Sequence, residues 1–191
     1  MKTETQTSEF NKDKTLIAGR ERRLAQIRQL NLFSDTFMTA VLKDKAACQY
    51  VLRILTSVPD LDIVNVRSQY QISQVASHSA RLDVLAETED KGLHSIEVQR
   101  TDTVDHARRT RFYGAMVDSE FLQRGKEYSE LPEATIYYIS ETDIWKQGRL
   151  KYTISRKCDE ADMEYDDGTS TVYVNAEVND GSELAKMLQY F

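Results

Sequence analysis

The sequence predicts an α/β domain built on a mixed β-sheet that is flanked by α-helices. Two segments that alternate apolar and polar residues, 80–87 and 93–99, are joined by a tight turn and predict a β-hairpin. A helix-like segment follows over 103–124, and the near-continuous apolar run at 134–139 is typical of a buried strand. Because the hairpin leads through a helical crossover into a buried strand, both antiparallel and parallel pairs are expected in the sheet.

The composition excludes several classes of protein. With 191 residues, of which 40% are hydrophobic and 29% charged, the chain fits one soluble globular domain. No apolar run approaches the roughly 18 residues that cross a membrane, and the first residues lack the apolar stretch of a secretory signal. Cys48 and Cys158 have no metal-ligand spacing, so a reducing cytoplasm is the predicted compartment. No Gly-rich phosphate loop is present, which disfavours a nucleotide cofactor.

The formal net charge of -6 is distributed unevenly along the chain. Residues 158–191 carry nine acidic side chains and one basic side chain, whereas residues 1–157 carry 24 basic and 22 acidic side chains. The larger part of the chain is therefore close to neutral. It can present a local basic face to nucleic acid although the protein as a whole is acidic.

The chain is expected to divide into a polar segment with a helical arm over 1–30 and a domain over 31–191. Apolar residues at helical spacing predict a short helix over 15–30. Ser34 or Asp35 is expected to cap a second helix, which continues without a break to the Ser-Val-Pro-Asp stop. This longer helix is the first element of the predicted domain.

The remaining elements follow from hydrophobic periodicity and turn residues. Helices are predicted over 103–124 and 182–191, and strands are predicted at 61–75, 80–87, 93–99, 134–139, 149–155 and 171–175. In the hairpin turn Glu89-Asp90-Lys91-Gly92, the glycine is expected to take the positive φ angle.

The predicted hairpin brings two acidic residues together. If the turn is centred near residue 90, Asp83 lies directly opposite Glu97, with Cβ atoms about 4.5–5.5 Å apart. Gln99 shares the face of Glu97, because side chains alternate along a strand. A shift of one residue in the register would separate the pair. The apolar neighbours are expected to point to the opposite face: Leu82, Val84, Ile96 and Val98.

Two adjacent carboxylates repel each other unless a proton, a basic group or a cation offsets the repulsion. Hard oxygen ligands favour Mg²⁺ or Mn²⁺ over Zn²⁺, and a cation held in this way suits the cleavage of a phosphate ester. The alternative is a solvated sheet face, on which Asp83 pairs with Arg81 or Arg100. The residue spacing alone favours this alternative.

A resemblance to a known family favours the metal site. The segments R-L-D-V-L-A and I-E-V-Q-R, joined by a turn, resemble the active-site hairpin of PD-(D/E)XK nuclease family transposases, which are related to recombination-promoting nucleases. The ordered similarity runs from about residue 31 to the carboxyl end. It includes N-L-F-S-D-T-F-M, H-A-R-R-T-R-F-Y, G-K-E-Y-S-E-L-P-E-A-T-I-Y-Y-I-S and Y-D-D-G-T-S-T-V-Y-V-N. The resemblance implies a restriction-endonuclease-like core.

The resemblance also implies roles for individual residues. Asp83 matches the motif aspartate, Glu97 matches the second metal carboxylate, and the Val98 backbone carbonyl becomes a further metal ligand. Gln99 stands where the wider superfamily usually has lysine; an amide can orient a water but supplies no positive charge. Asp35 matches an acidic position from which another carboxylate approaches the metals, and a helix N-cap is its alternative role.

Three arginines follow the hairpin on the helix predicted over 103–124. Arg108 and Arg111 are three residues apart and share a helix face, and Arg109 lies between them. We expect these side chains to contact DNA phosphates beside the metal site. The alternative is ion pairing with Asp105, Asp118 or the acidic residues of the hairpin.

The expected activity is that of a Mg²⁺-dependent DNA endonuclease, for which Mn²⁺ is expected to substitute. Asp83 and Glu97 would promote attack of water on a phosphodiester, in recombination, mobile-element activity or defence. The alternative is a catalytically silent nuclease fold used for binding or regulation, suggested by Gln99 and by the acidic segment 158–167. A ribonuclease is the third hypothesis. A homodimer is a candidate assembly, because a double-strand break needs two active sites.

Overall fold

A computed structural model describes residues 19–22, 32–73, 78–100, 104–189 and 191. The elements after residue 32 are, in chain order, α1 (Asp35–Leu42), α2 (Lys45–Thr56), β1 (Ile63–Ile72), β2 (Ala80–Thr88), β3 (Leu93–Gln99), α3 (His106–Phe121), a 3-10 turn (Tyr128–Glu130), β4 (Ala134–Ser140), β5 (Lys151–Ile154), β6 (Lys157–Cys158), β7 (Met163–Glu164), β8 (Thr169–Asn175) and α4 (Glu183–Leu188). Residues 19–22 are helical, and the rest of the predicted 15–30 helix lies outside the described residues.

The main sheet has six strands in the order β1-β2-β3-β4-β8-β5, and β6 pairs with β7 in a separate small hairpin. The pairs β1–β2, β2–β3 and β5–β8 are antiparallel, whereas β3–β4 and β4–β8 are parallel. Because α3 crosses from β3 to β4, these two strands can lie parallel in the centre of the sheet. The predicted mixed sheet and its helical crossover are confirmed.

Helices cover both faces of this sheet. The larger hydrophobic cluster joins apolar residues of α1, α2 and α4 to one face, and the smaller cluster joins Met116 and Val117 of α3 to the other face. The central strands β3 and β4 are almost fully buried, as the apolar run at 134–139 predicts. Among the described residues, no helix is both long and apolar enough to cross a bilayer.

The prediction of one continuous helix before the sheet is wrong, because α1 and α2 are two helices. The break lies at Lys43 and Asp44, where the Asp44 backbone is extended and its carboxylate accepts a hydrogen bond from the Ala47 backbone N–H at 2.9 Å. This N-cap satisfies a backbone donor at the start of α2, so a new helix begins inside the apolar periodicity. Ser34, rather than Asp35, occupies the N-cap position of α1.

The glycine of the β2–β3 turn has a different role from the predicted one. Lys91 takes the positive φ, at 69°, and Gly92 is not among the residues with positive φ. A Cβ atom built on Gly92 would lie 2.9 Å from Oγ1 of Thr88. Glycine is therefore needed at this turn for the close approach of the Thr88 side chain, not for its backbone freedom.

The β2 strand does not keep a simple alternation of faces. Val84, Ile96 and Val98 lie in the larger cluster as predicted, but Leu82 packs in the smaller cluster, so the predicted face of Leu82 is wrong. Gln69 lies opposite Asp83, between the paired residues of β1, and has a positive φ of 50°. A left-handed residue interrupts the regular twist of an extended strand, which accounts for the change of face beside Asp83.

Candidate active site on the β2–β3 hairpin

The hairpin register places Asp83 across from Glu97. The paired residues Val84 with Ile96 and Leu85 with Ser95 confirm the predicted register, and these pairs end one step before the two acids. Beyond this point the Val98 backbone N–H donates a hydrogen bond of 3.0 Å to Oδ2 of Asp83. The Asp83 carboxylate thus accepts a backbone hydrogen bond at the end of the β2–β3 ladder, and this contact holds it beside β3.

Glu97 is buried more deeply than a solvated carboxylate. Only 1% of the residue is exposed, and the hydroxyl of Ser95 donates a 2.8 Å hydrogen bond to Oε1. Burial, together with the negative charge of Asp83, raises the pKa of the Glu97 carboxyl well above 4.5. The Ser95 hydroxyl, the Asp83 backbone and the charge of Arg109 act in the opposite direction. Glu97 is therefore an acid whose ionised form needs further positive charge nearby.

The donor chemistry of this pair fits a hard divalent cation. Asp83 and Glu97 offer carboxylate oxygens, the ligands that Mg²⁺ and Mn²⁺ prefer, and a cation would offset the electrostatic repulsion between them. Among the described residues, no group of three His, Cys, Asp or Glu side chains could hold a metal ion. Apart from the Asp35 side chain, which lies outside the described residues, a cation at this hairpin would draw its other ligands from backbone oxygens or water, as Mg²⁺ commonly does.

Gln99 lies at the end of β3 and faces α3. Its amide oxygen accepts a 3.1 Å hydrogen bond from Nη1 of Arg109, and both side chains are half-buried. The structure thus brings one of the three predicted arginines to the hairpin. Arg109 is thus hydrogen-bonded to a protein side chain, and its contact with a DNA phosphate stays a prediction.

The other two arginines lie elsewhere on α3. Arg108 and Arg111 are exposed, and none of the three arginines forms an ion pair with an acidic residue in the part of the chain that the structure describes. Arg111 lines a cavity of about 590 Å³ together with Arg156 and Asp118, and neither carboxylate of the hairpin lines that cavity. Arg111 therefore faces a cavity that the carboxylate pair does not line.

Two residues at the site were not assigned a catalytic role from the sequence. Ser95 holds Glu97, and its position two residues earlier on the same strand face was the available signal. Tyr113 lies one helical turn after Arg109, and burial and the charge of Glu97 raise the pKa of its hydroxyl. Tyr113 is half-buried, and the charges of Glu97 and Asp83 both act on its hydroxyl.

Two other predicted site groups remain predictions. Asp35 is the first residue of α1, but its side chain lies outside the described part of the structure. The backbone of Val98 contributes its N–H to Asp83. A ligand role for its carbonyl is not tested by this contact.

Residues 50–179 match the family model of the PD-(D/E)XK nuclease family transposases. A search of curated proteins gives no significant match. Among solved structures, a refined half-complex of Thermococcus gammatolerans McrB AAA+ hexamers with bound McrC aligns with 11% identity and a TM-score of 0.37, over 76% of this chain and 30% of that chain.

The family match spans the elements that build the site. It begins within α2, includes both strands of the carboxylate hairpin and α3, and ends after β8. The mixed six-stranded sheet with helices on both faces is the restriction-endonuclease-like α/β arrangement that the resemblance implies. From this match over most of its length, the chain belongs to the family of PD-(D/E)XK nuclease family transposases.

Proposed function

We propose that this protein is a metal-dependent DNA endonuclease that hydrolyses phosphodiester bonds at the β2–β3 hairpin. The observation that carries the proposal is the placement of Asp83 and the buried Glu97 across from each other at the end of the ladder. Membership of the family supports a nuclease-type function. The setting we propose is DNA recombination, mobile-element activity or defence against foreign DNA.

The residues of the chain would share the work of cleavage. Asp83 and Glu97 would hold Mg²⁺, with the Val98 carbonyl and Asp35 as further candidate ligands. Bound there, the cation would supply positive charge beside the phosphate and acidify the attacking water. Gln99 would orient that water by hydrogen bonding, while Arg108 and Arg111 hold the DNA backbone from the exposed surface of α3.

The proposal is tested by incubating the purified protein with supercoiled plasmid in Mg²⁺ or Mn²⁺, beside reactions that contain EDTA. Wild type is expected to nick or linearise the plasmid, and Asp83→Asn and Glu97→Gln are expected to lose at least about 100-fold in rate. Glu89→Gln is the matched control, because Glu89 is an exposed acid in the turn of the same hairpin. Its cleavage rate is expected to equal that of wild type.

The remaining hypotheses give different results in the same assay. Cleavage of RNA but not DNA would favour a ribonuclease. A folded protein that takes up no metal and cleaves neither nucleic acid would contradict the enzyme proposal and favour the binding module. A homodimer would be supported if the plasmid is linearised in one binding event, without a nicked intermediate, and if the protein has a dimeric mass in solution.

A further inference from the structure

The contact between Arg109 and Gln99 determines the orientation of the glutamine amide. An arginine guanidinium carries only hydrogen-bond donors, so the Gln99 atom that faces Nη1 at 3.1 Å must be the oxygen Oε1. The Nε2 group then occupies the other branch of the planar amide. Among the described residues it has no acceptor, which makes its two N–H groups candidate donors to a bound water or to substrate.

Arg109 also brings a positive charge to the site, where Arg81 of β2 is the other cation that acts on Tyr113. Its guanidinium lies close enough to act electrostatically on both Glu97 and Tyr113. The residue lies in the first turns of α3, where the helix dipole already favours negative ligands. A cation placed here strengthens the attraction of this helix end for a phosphate.

We propose that Arg109 is a positioning residue that orients the Gln99 amide with its donors outward and supplies the positive charge that glutamine lacks. The two side chains would act as one unit, in which the amide donates and the guanidinium carries the charge. This inference rests on the proposed nuclease function. It gives Arg109 a role different from that of the exposed Arg108 and Arg111, which would contact the DNA backbone.

A crossed set of variants tests the unit. Arg109→Gln removes the charge and the obligatory donor, and we expect kcat to fall on the order of 100-fold with little change in KM. Gln99→Lys in the wild-type background places an ammonium group against Arg109, and we expect activity to fall because like charges repel. Combining Gln99→Lys with Arg109→Gln restores one donor and one charge, so we expect the double variant to be at least tenfold more active than either single variant.

Two controls separate this role from simple phosphate contact. Arg108→Gln is expected to raise KM and to reduce the salt dependence of binding, with kcat largely retained. Arg124→Gln changes an exposed arginine just beyond α3 and is expected to behave as wild type. If Arg109→Gln changes KM and the salt dependence in the same way as Arg108→Gln, with kcat intact, the inference is overturned.

A spectroscopic readout tests the contact even in a protein without activity. The Gln99 side-chain amide gives a pair of ¹H–¹⁵N resonances that Gln99→Ala identifies. We expect Arg109→Gln to shift these resonances toward those of a solvent-exposed glutamine, and Arg124→Gln to leave them unchanged. Unshifted resonances in Arg109→Gln would contradict the positioning role. Absence of cleavage by wild type would instead contradict the proposed function, with the NMR result still deciding the contact.

Titration with Mn²⁺ alone gives a third measurement. Because Arg109 repels a cation beside the carboxylates, we expect Arg109→Gln to bind Mn²⁺ several-fold more tightly, at a pH at which Glu97 is ionised in both proteins, while it cleaves more slowly. A variant that had only damaged the fold would bind the metal more weakly. Metal affinity that falls together with kcat, in a variant that melts at the wild-type temperature, would count against the inference.

Discussion

The hydroxyl of Ser95 donates a 2.8 Å hydrogen bond to Oε1 of Glu97, two residues further along the same buried strand. The Val84 carbonyl, at 3.4 Å, is the other possible acceptor of this hydroxyl. Both side chains are almost completely buried. The bond stabilises the ionised form of Glu97, whereas burial and the charge of Asp83 act against that form.

Ser95→Ala is expected to weaken metal binding without removing a ligand. Loss of the hydroxyl raises the pKa of Glu97 further, and we expect about a tenfold loss of Mn²⁺ affinity at pH 7. Calorimetric titration at several pH values measures it, and the loss should shrink as the pH rises. Ser155→Ala, on an exposed loop, is the matched control. An unchanged affinity at pH 7 would contradict this role for Ser95.

The raised pKa of Glu97 predicts that the stability of the metal-free protein depends on pH. Because its pKa is raised in the folded state, the folded protein binds more protons than the unfolded chain above pH 4.5. The free energy of unfolding should therefore fall as the pH rises from about 4.5 through the folded pKa. Urea unfolding of wild type and Glu97→Gln across this range measures the effect. Glu97→Gln should lose the part of the pH dependence that Glu97 contributes. The prediction is contradicted if the free energy of unfolding has the same pH dependence in both proteins.

Cys48 should be unreactive in the folded protein. It is completely buried, and burial raises the pKa of its thiol to about 12, so at pH 8 on the order of one molecule in ten thousand carries the thiolate. An alkylating reagent should label only the partly exposed Cys158. Mass spectrometry of native Cys158→Ser should therefore show no labelling until urea unfolds the protein. Rapid native labelling would place Cys48 outside the core.

Asp143 is expected to hold the loop between β4 and β5. Its carboxylate accepts hydrogen bonds from the Tyr152 hydroxyl at 2.9 Å and from the Gly148 backbone N–H at 2.7 Å. Asp143→Ala leaves these donors without their partner, and we expect the free energy of unfolding to fall by about 2 kcal/mol. Thermal or urea unfolding measures this loss. Asp159→Ala, at an exposed position in the β6–β7 hairpin, should change stability far less.

Much of the fold follows from local sequence patterns. The alternation at 80–87 and 93–99 gave the strands and register of the carboxylate hairpin, and the apolar run at 134–139 gave the buried central strand. The helical break at Asp44 could not be read in the same way, because the apolar periodicity continues through it. An N-cap aspartate competes with the helix only through its local hydrogen bond, which periodicity does not report.

The candidate site, too, could be predicted only in part from the sequence. That Asp83 and Glu97 face each other is a consequence of the two-residue period of a strand and a short turn, both of which are written in adjacent residues. The selection of Arg109 from three neighbouring arginines depends on how α3 packs across the sheet. Helical spacing identifies which arginines share a face, but it does not determine which face meets β3.

Local sequence patterns were therefore sufficient for the register of the hairpin and the facing of its carboxylates, because both depend on residues close together in the chain. Long-range packing sets the burial of Glu97, the change of face at Leu82 and the contact of Gln99 with Arg109. These features arise where elements distant in sequence pack together, and packing sets both the desolvation and the hydrogen-bond partners of a side chain.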